Sequence, residues 1–151
     1  MAEHVNVPIA AGERFYMKYG FREVLELQAA DIIQPDPCHA DGILECKKIA
    51  AMAETYHVKV APHNPASPVC LAVCVQLDAC MPNFLIQEMV WKDVSWRDKI
   101  LKEPIKVEGG YIRLPTKPGI GIELDEKIIE EHPYRPYEQP RIYCKNGMVE
   151  N

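Results

Sequence analysis

Four short apolar runs recur along the chain, and each leads into one ionisable side chain. The runs cover residues 7–11, 32–35, 58–62 and 84–87, and the side chains that follow them are Glu13, Asp36, His63 and Glu88. Successive members of this set are 23, 27 and 25 residues apart, about the length of one strand plus one crossover helix. The pattern predicts four buried strands, each with a polar group at its carboxyl end.

The segments between these runs have the periodicity of helices that cover a sheet. They comprise residues 21–30, 41–56 and 67–80. The second begins at Asp41, whose carboxylate can accept hydrogen bonds from first-turn amides. The third has Ser67 as its N-cap and Pro68 at the first helical position. Strands and helices that alternate in this way predict an α/β fold with a parallel sheet and right-handed crossovers.

The character of the chain changes after residue 89. Residues 92–102 are polar and form a candidate helix, and residues 105–114 predict a hairpin that turns at two glycines. Residues 124–131 predict a last short helix. The proline- and tyrosine-rich residues 132–143 predict extended chain that needs a surface to lie against.

The length of the chain bounds the architecture. A complete (β/α)₈ barrel needs about 250 residues and rarely fewer than about 200, whereas this chain has 151 residues. It therefore has room for about four βα units and a tail. We expect either an incomplete barrel or one that assembles from more than one copy.

Composition and charge argue against several classes of binding partner. The net charge is −5, and lysine and arginine do not cluster, so nucleic acid is not an expected partner. No apolar stretch approaches the roughly 20 residues needed to cross a bilayer, and the first residues lack the pattern of a secretory signal. We expect no membrane partner and a cytoplasmic location.

The cysteines fit this expectation. The chain has six, and none forms a CxxC pair, so we expect them to be reduced. Cys70 and Cys74 lie one helical turn apart and could share a metal ion, but no nearby His or Cys in the sequence completes a set of four ligands. We interpret them as small apolar residues on a packed helix face.

Each of the four polar residues has an ordinary structural explanation when taken alone. Glu13 could pair with Arg14 at the surface, and Asp36 could shape a turn between two prolines. His63 could be structural, and Glu88 could face solvent. Chance seldom places an ionisable group at the same point of four successive strands, however. Because neighbouring strands lie about 4.8 Å apart, Asp36 and His63 are predicted to form a hydrogen bond in which the carboxylate orients an imidazole base.

Five motifs together carry a resemblance to a known family. They are Ala-Gly-Glu at 11–13, DIIQPD at 31–36, VAPHN at 60–64, Gln-Glu at 87–88 and KPGIGIELD at 117–125. In this order and spacing they resemble the C-terminal part of the mandelate racemase branch of the enolase superfamily and, within it, sugar-acid dehydratases of the galactonate dehydratase type. The match runs over nearly the whole chain.

The resemblance implies a fold. Residues 1–103 are expected to form the C-terminal half of a TIM-type (β/α) barrel, with strands five to eight in sequential order. Residues 104–151 are expected to form a segment that packs on a capping domain outside this chain.

The resemblance also implies a function and a role for each site residue. Glu13 matches a carboxylate ligand of an essential Mg²⁺. Asp36 and His63 match an Asp-His dyad whose histidine removes the proton α to the substrate carboxylate, and Glu88 matches an acid that hydrogen-bonds that carboxylate. The implied enzyme is a hydro-lyase that eliminates the β-hydroxyl of a sugar acid and forms a 2-keto-3-deoxy acid.

Some parts of the family pattern lie outside this chain. Family members carry two earlier strands with two more metal carboxylates, a further acid/base group and the capping domain. The isolated chain is therefore expected to be inactive. A half-barrel also leaves its first and last strands without partners, so we expect a homo-oligomer. Asp41 stands where related proteins usually have glycine, which leaves the detail of that loop open.

Two other interpretations remain open, and a third is disfavoured. A racemase or epimerase would use the same base. The chain could instead be a catalytically silent half-barrel that serves as a structural unit. A flavodoxin-like binding module would need a glycine-rich phosphate loop after the first strand, and Ala11-Gly12-Glu13 is too poor in glycine for that.

Overall fold

Strands and helices alternate through the first 80 residues of the chain. The computed structural model describes residues 4–90 and 93–136. Its elements are β1 (Ala10–Ala11), α1 (Met17–Glu26), β2 (Ile32–Ile33), α2 (Gly42–Thr55), β3 (Lys59–Val60), α3 (Pro68–Asp78), a 3₁₀ helix (Arg97–Ile100), β4 (Val107–Glu108), β5 (Tyr111–Ile112) and α4 (Glu126–Glu131). This order is the βαβαβα pattern that the sequence predicts.

The main sheet is parallel and sequential. Strands β1, β2 and β3 lie in that order, with Ala11 opposite Ile33 and Ile33 opposite Val60. The next position in the sheet is a single parallel bridge between Val60 and Phe84. The α/β fold with a parallel sheet is confirmed, whereas the fourth strand is reduced to this bridge and a closed barrel is not confirmed.

The strands are shorter than predicted because prolines lie inside the predicted runs. Each strand of the sheet spans two residues, where the runs have four or five. Pro35 and Pro62 have no amide hydrogen and cannot continue a regular ladder. Parallel hydrogen bonding nevertheless extends beyond the strands, because the amide of His63 donates to the carbonyl of Pro35 at 3.2 Å.

Helix α1 begins at Met17 and ends at Glu26, so the predicted bounds of 21–30 are wrong at both ends. Its end is set by Gln28, which has a φ of 46°. The amide of Ala29 donates to the carbonyl of Val24, and that of Gln28 to Leu25, which together form a Schellman motif. Glycine is the usual residue at that position, so Gln28 gave no stop signal in the sequence.

The starts of the other two helices agree with prediction, but their caps differ. The Ser67 hydroxyl accepts a hydrogen bond from the amide of Cys70 at 3.4 Å, which confirms the predicted cap of α3. Asp41 precedes α2, but its side chain makes no capping hydrogen bond, so that part of the prediction is wrong. Its φ of 70° lies in the left-handed region, which glycine adopts at the lowest cost.

The core lies between the sheet and the helices. Its fully buried side chains include Phe21 and Leu25 from α1, Ile33 from β2, Ile49 from α2 and Val60 from β3. Helix α3 covers the sheet with Leu77, and both Cys70 and Cys74 are buried. The interpretation of these two cysteines as residues of a packed helix face is confirmed.

The chain after residue 90 forms smaller elements. Strands β4 and β5 pair antiparallel and confirm the hairpin, and α4 lies inside the predicted 124–131. The candidate helix at 92–102 is a four-residue 3₁₀ helix in its described part. The predicted extended segment lies mostly outside the described residues, and the division at residue 103 stays a prediction. Within the described residues, no helix is long and apolar enough to cross a membrane.

Candidate active site

The four predicted site residues meet at one edge of the sheet. His63 is the centre of the group: its Nδ1 lies 3.0 Å from Asp36 Oδ2, and its Nε2 lies 3.4 Å from Glu13 Oε2 and 3.8 Å from Glu88 Oε2. The carboxyl ends of parallel strands share one edge, where barrel enzymes place their functional groups. The predicted juxtaposition of the four side chains therefore agrees with the geometry, and their chemical roles stay predictions.

The backbone that follows each strand sets this geometry. The amide of Ala61 donates to the carbonyl of Ile33, and that of His63 donates to Pro35. These bonds hold the loop after β3 in register with the loop after β2, so Asp36 and His63 emerge side by side. After β1 the chain turns at Gly12, whose φ is 118°. That turn places Glu13 next to the imidazole.

Asp36 fixes the protonation pattern of the histidine. Its side chain is 2% exposed, and its Oδ1 accepts the amide of Cys38 at 2.7 Å. A carboxylate can only accept, so the neutral His63 ring carries its proton on Nδ1 and donates it to Asp36 Oδ2. The lone pair of the ring is then on Nε2, which faces Glu13 and Glu88.

The two glutamates differ from Asp36 in their exposure to solvent. The Glu13 and Glu88 side chains are 55% and 45% exposed. Glu88 Oε2 accepts the amide of Asn64 at 3.3 Å. Among residues 4–90 and 93–136, no Lys or Arg side chain and no His other than His63 lies within 4.0 Å of either glutamate. Both carboxylates therefore keep lone pairs available to a ligand on the open side of the imidazole.

These carboxylates are suitable donors for a hard cation. Mg²⁺ prefers oxygen ligands and is usually bound by one or two carboxylates, with waters or substrate oxygens at the other positions. Glu13 supplies such an oxygen at the solvent-facing side of the site. Glu13 therefore fits as one ligand of a Mg²⁺ ion, although one carboxylate alone does not fill an octahedral coordination shell.

Asn64 is a further polar residue at this edge. Its side chain is fully buried, and within the described part of the chain neither its amide nitrogen nor its oxygen has a hydrogen-bond partner. An unpaired buried polar group costs about 1–3 kcal/mol. In the sequence, Asn64 stands out only as part of the VAPHN motif.

Two cysteines also lie next to the dyad, a proximity that the sequence analysis above does not predict. One ligand atom each of Asp36, Cys38 and Cys70 lies within 4.8 Å of the other two. A hydrogen bond with the Cys74 thiol is the main reason that the pKa of Cys70 is lowered to about 7, against burial, which raises it. The sequence did contain one signal for this proximity. Cys38 follows β2 and Cys70 follows β3, so the loops after these neighbouring strands lie side by side.

Comparison with known proteins identifies the family that this architecture matches. The model of the family described as enolase C-terminal domain-like matches residues 1–128. A D-galactonate dehydratase from Ralstonia pickettii is 44% identical over 137 residues, which are 87% of this chain and 36% of that protein. The chain thus spans about a third of the length of this relative.

Solved structures give the same result. An enolase from Agrobacterium radiobacter, in a crystal structure with Na and L-malate bound, matches with a TM-score of 0.88 and 34% identity, over 98% of this chain and 41% of that one. A mandelate racemase/muconate lactonizing enzyme from a Sulfitobacter species matches with a TM-score of 0.84 and 42% identity, over 91% of this chain and 34% of that one. The resemblance inferred from the sequence is confirmed.

Proposed function

The chain belongs to the enolase C-terminal domain-like family, and we propose that it supplies the proton-abstracting side of the active site of a sugar-acid dehydratase. In this proposal His63 is the base and Asp36 orients it. Glu13 is a Mg²⁺ ligand, and Glu88 binds the substrate carboxylate. The similarity to a D-galactonate dehydratase supports this substrate class.

The observation that carries the proposal is the hydrogen bond between His63 Nδ1 and the buried Asp36 carboxylate. The bond leaves Nε2 unprotonated, on the side of the ring that faces Glu13 and Glu88. It also places a negative charge next to the ring, which stabilises the imidazolium that forms when Nε2 takes a proton. A histidine in this arrangement is a competent general base.

The reaction needs more than a base, because a proton α to a carboxylate is only weakly acidic. The superfamily itself is the standard example of a His or Lys base that works beside Mg²⁺. When bound, Mg²⁺ supplies positive charge that offsets the negative charge developing on the substrate. Glu88 hydrogen-bonds the substrate carboxylate and helps to spread the same charge.

The proton balance follows from these positions. His63 Nε2 takes the α-proton, and the electron pair of the C–H bond forms the enediolate. The electron pair of the enediolate then expels the β-hydroxyl, which leaves as water with a proton from the second acid/base group outside this chain, and the resulting enol tautomerises to a 2-keto-3-deoxy acid. The resemblance places a second acid/base group and two further metal carboxylates outside this chain. We therefore propose that the 151-residue chain alone gives no turnover, and that it associates through the outer edge of β1, which pairs with no strand among the described residues.

The test is α-proton exchange in a chimaera in which this chain replaces the matching region of the Ralstonia pickettii relative. Proton NMR in D₂O follows exchange and keto-acid formation with a panel of aldonates and aldarates. His63→Asn should reduce exchange on the order of 10²–10⁴-fold, because the base is lost, and should leave Mg²⁺ affinity nearly unchanged. His57→Asn is the matched control, since His57 is exposed and remote from the sheet edge.

The outcomes separate the alternatives. Undiminished exchange in the His63 variant refutes the assigned base. Exchange without keto-acid formation indicates a racemase or epimerase that uses the same base. Sedimentation of the isolated chain tests association, and a dilute monomer contradicts that part of the proposal.

A further inference from the structure

A group of metal-ligating side chains shares Asp36 with the Asp-His dyad. It consists of Asp36 and Cys38, which follow β2, and Cys70, in the first turn of α3. One ligand atom from each residue lies within 4.8 Å of the other two. Two sulfur atoms and a carboxylate oxygen thus converge from two segments of the chain.

The geometry is close to that of a tetrahedral metal centre. Zinc–sulfur and zinc–oxygen bonds of about 2.3 and 2.1 Å place neighbouring ligand atoms about 3.5–3.8 Å apart. The three atoms of this cluster are already within 4.8 Å of each other, so contraction by at most about 1.3 Å would bring them to three of the four tetrahedral ligand positions. The fourth corner would be open to water.

The surroundings suit a metal ion as well. Asp36 and Cys70 are buried, whereas Cys38 is exposed and gives an ion a path from solvent. The amide of Cys38 and Nδ1 of His63 hold the two oxygens of Asp36 in place, and hydrogen bonds of this kind orient ligating carboxylates. The five cysteines of the described residues are all thiols, so both sulfurs are available.

We propose that Asp36, Cys38 and Cys70 form a binding site for a thiophilic divalent cation of the zinc class, separate from any Mg²⁺ site at Glu13. Thiolate ligands select zinc-class ions, whereas carboxylate and water ligands suit Mg²⁺. The ion shares Asp36 with the dyad, whereas Nε2 of His63 faces Glu13 and Glu88. Cys74 lies outside the cluster, although it contacts Cys70.

A bound ion would act on the dyad through its shared residue. Part of the negative charge of Asp36 would then be neutralised by the ion, so Asp36 would accept a weaker hydrogen bond from Nδ1–H of His63. The site would therefore inhibit proton abstraction by weakening the base. This consequence rests on the proposed function, whereas the binding of the ion does not.

Cobalt(II) is the probe for binding, because tetrahedral thiolate coordination gives an intense charge-transfer band in the near ultraviolet. The reduced full chain, kept with a non-thiol reductant, should bind one Co²⁺ with this band, and Zn²⁺ should displace it. Cys38→Ser should weaken Co²⁺ binding by at least about 100-fold, since loss of a ligand costs more than the 10–100-fold typical of an outer partner. Cys70→Ala should do the same.

Cys80→Ser is the matched control, because Cys80 is exposed and outside the cluster. It should bind Co²⁺ like the parent. Absence of the thiolate band in the reduced parent overturns the proposal, and so does a Cys38→Ser variant that binds as tightly as the parent. Because Cys38 is at the surface, this variant keeps the test valid even if Cys70→Ala does not fold.

Inhibition is measured separately in the chimaera. Zn²⁺ should slow α-proton exchange in the parent, and much less in Cys38→Ser, with each rate compared with its own zinc-free value. Equal inhibition of both proteins overturns the inhibitory role. A chimaera without exchange activity contradicts the proposed function, while the Co²⁺ result still decides the binding site.

Discussion

Replacement of Gly12 by alanine should destabilise the chain through a contact that the structure locates. A Cβ atom at Gly12 would lie 2.6 Å from Cε1 of Phe21. Phe21 is fully buried and packs edge-to-face on Phe15, with ring centroids 5.3 Å apart, so its ring has little room to withdraw. Overpacking of this kind costs about 1–3 kcal/mol.

A second cost comes from the backbone. Gly12 has a φ of 118°, a region that side-chain-bearing residues rarely adopt, and such strain costs about 1–3 kcal/mol. The two costs together predict a loss of about 2–6 kcal/mol for Gly12→Ala. Domains of this size are typically stable by about 5–15 kcal/mol, so the loss is readily measured.

Gly110→Ala and a double-mutant cycle separate the two costs. Gly110 has a φ of 84°, and nothing lies within 4 Å of a Cβ built there, so its replacement should cost only the backbone part. Phe21→Leu removes the clashing ring atom. The Gly12→Ala/Phe21→Leu double variant should therefore be about 1–3 kcal/mol more stable than the sum of the single changes predicts.

Urea unfolding followed by circular dichroism, at one fixed chain concentration, gives these free energies. A Gly12→Ala variant within about 0.5 kcal/mol of the parent would refute the reasoning, since that is the range of ordinary surface changes. An additive cycle would show that Phe21 is not the source of the steric cost.

Two further predictions concern helix α2. Asp41→Gly should raise the unfolding free energy by about 1 kcal/mol, because Asp41 has a left-handed backbone that glycine adopts at lower cost, and its side chain makes no capping hydrogen bond. Urea unfolding measures this gain, and the control Asp41→Ala should show none. A lower unfolding free energy for Asp41→Gly would contradict the account. Glu45 accepts hydrogen bonds from the backbone amide and ammonium of Lys18 and from Lys48, which lower its pKa from 4.5 to about 2. Its contribution to stability should be fully present above pH 4.5 and be lost as the pH falls towards 2. The urea midpoints of the parent and Glu45→Gln should therefore converge over this range, whereas Glu54→Gln, an exposed control on the same helix, should show no such convergence.

The alternation of strands and helices was predictable because hydrophobic periodicity is a local property of the sequence. The carboxyl ends of parallel strands lie along the same edge of the sheet, and each of the four polar residues follows one strand. The proximity of Glu13, Asp36, His63 and Glu88 therefore followed from topology alone. The bounds of individual elements depend on finer chemistry. Helix α1 ends at Glu26 because Gln28 is left-handed, and glutamine is not a residue type that signals such a turn.

The features that the sequence did not reveal depend on tertiary proximity. Asp36 and Cys70 are 34 residues apart in the chain, and only the packing of α3 against the loop after β2 brings their side chains together. The fourth strand is reduced to one bridge at Phe84, and this too depends on how the chain pairs beside β3 at the side of the sheet. Apolar periodicity cannot distinguish a paired strand from an apolar segment that runs beside one.

The protonation state of the His63 ring tests the central claim most directly. Long-range ¹H–¹⁵N NMR of the full chain, above the pH at which the ring is charged, distinguishes a protonated from an unprotonated ring nitrogen. The hydrogen bond to Asp36 predicts that Nδ1 of His63 carries the proton and that Nε2 does not. A neutral His63 protonated on Nε2 would contradict the account, because that nitrogen could then not act as the base.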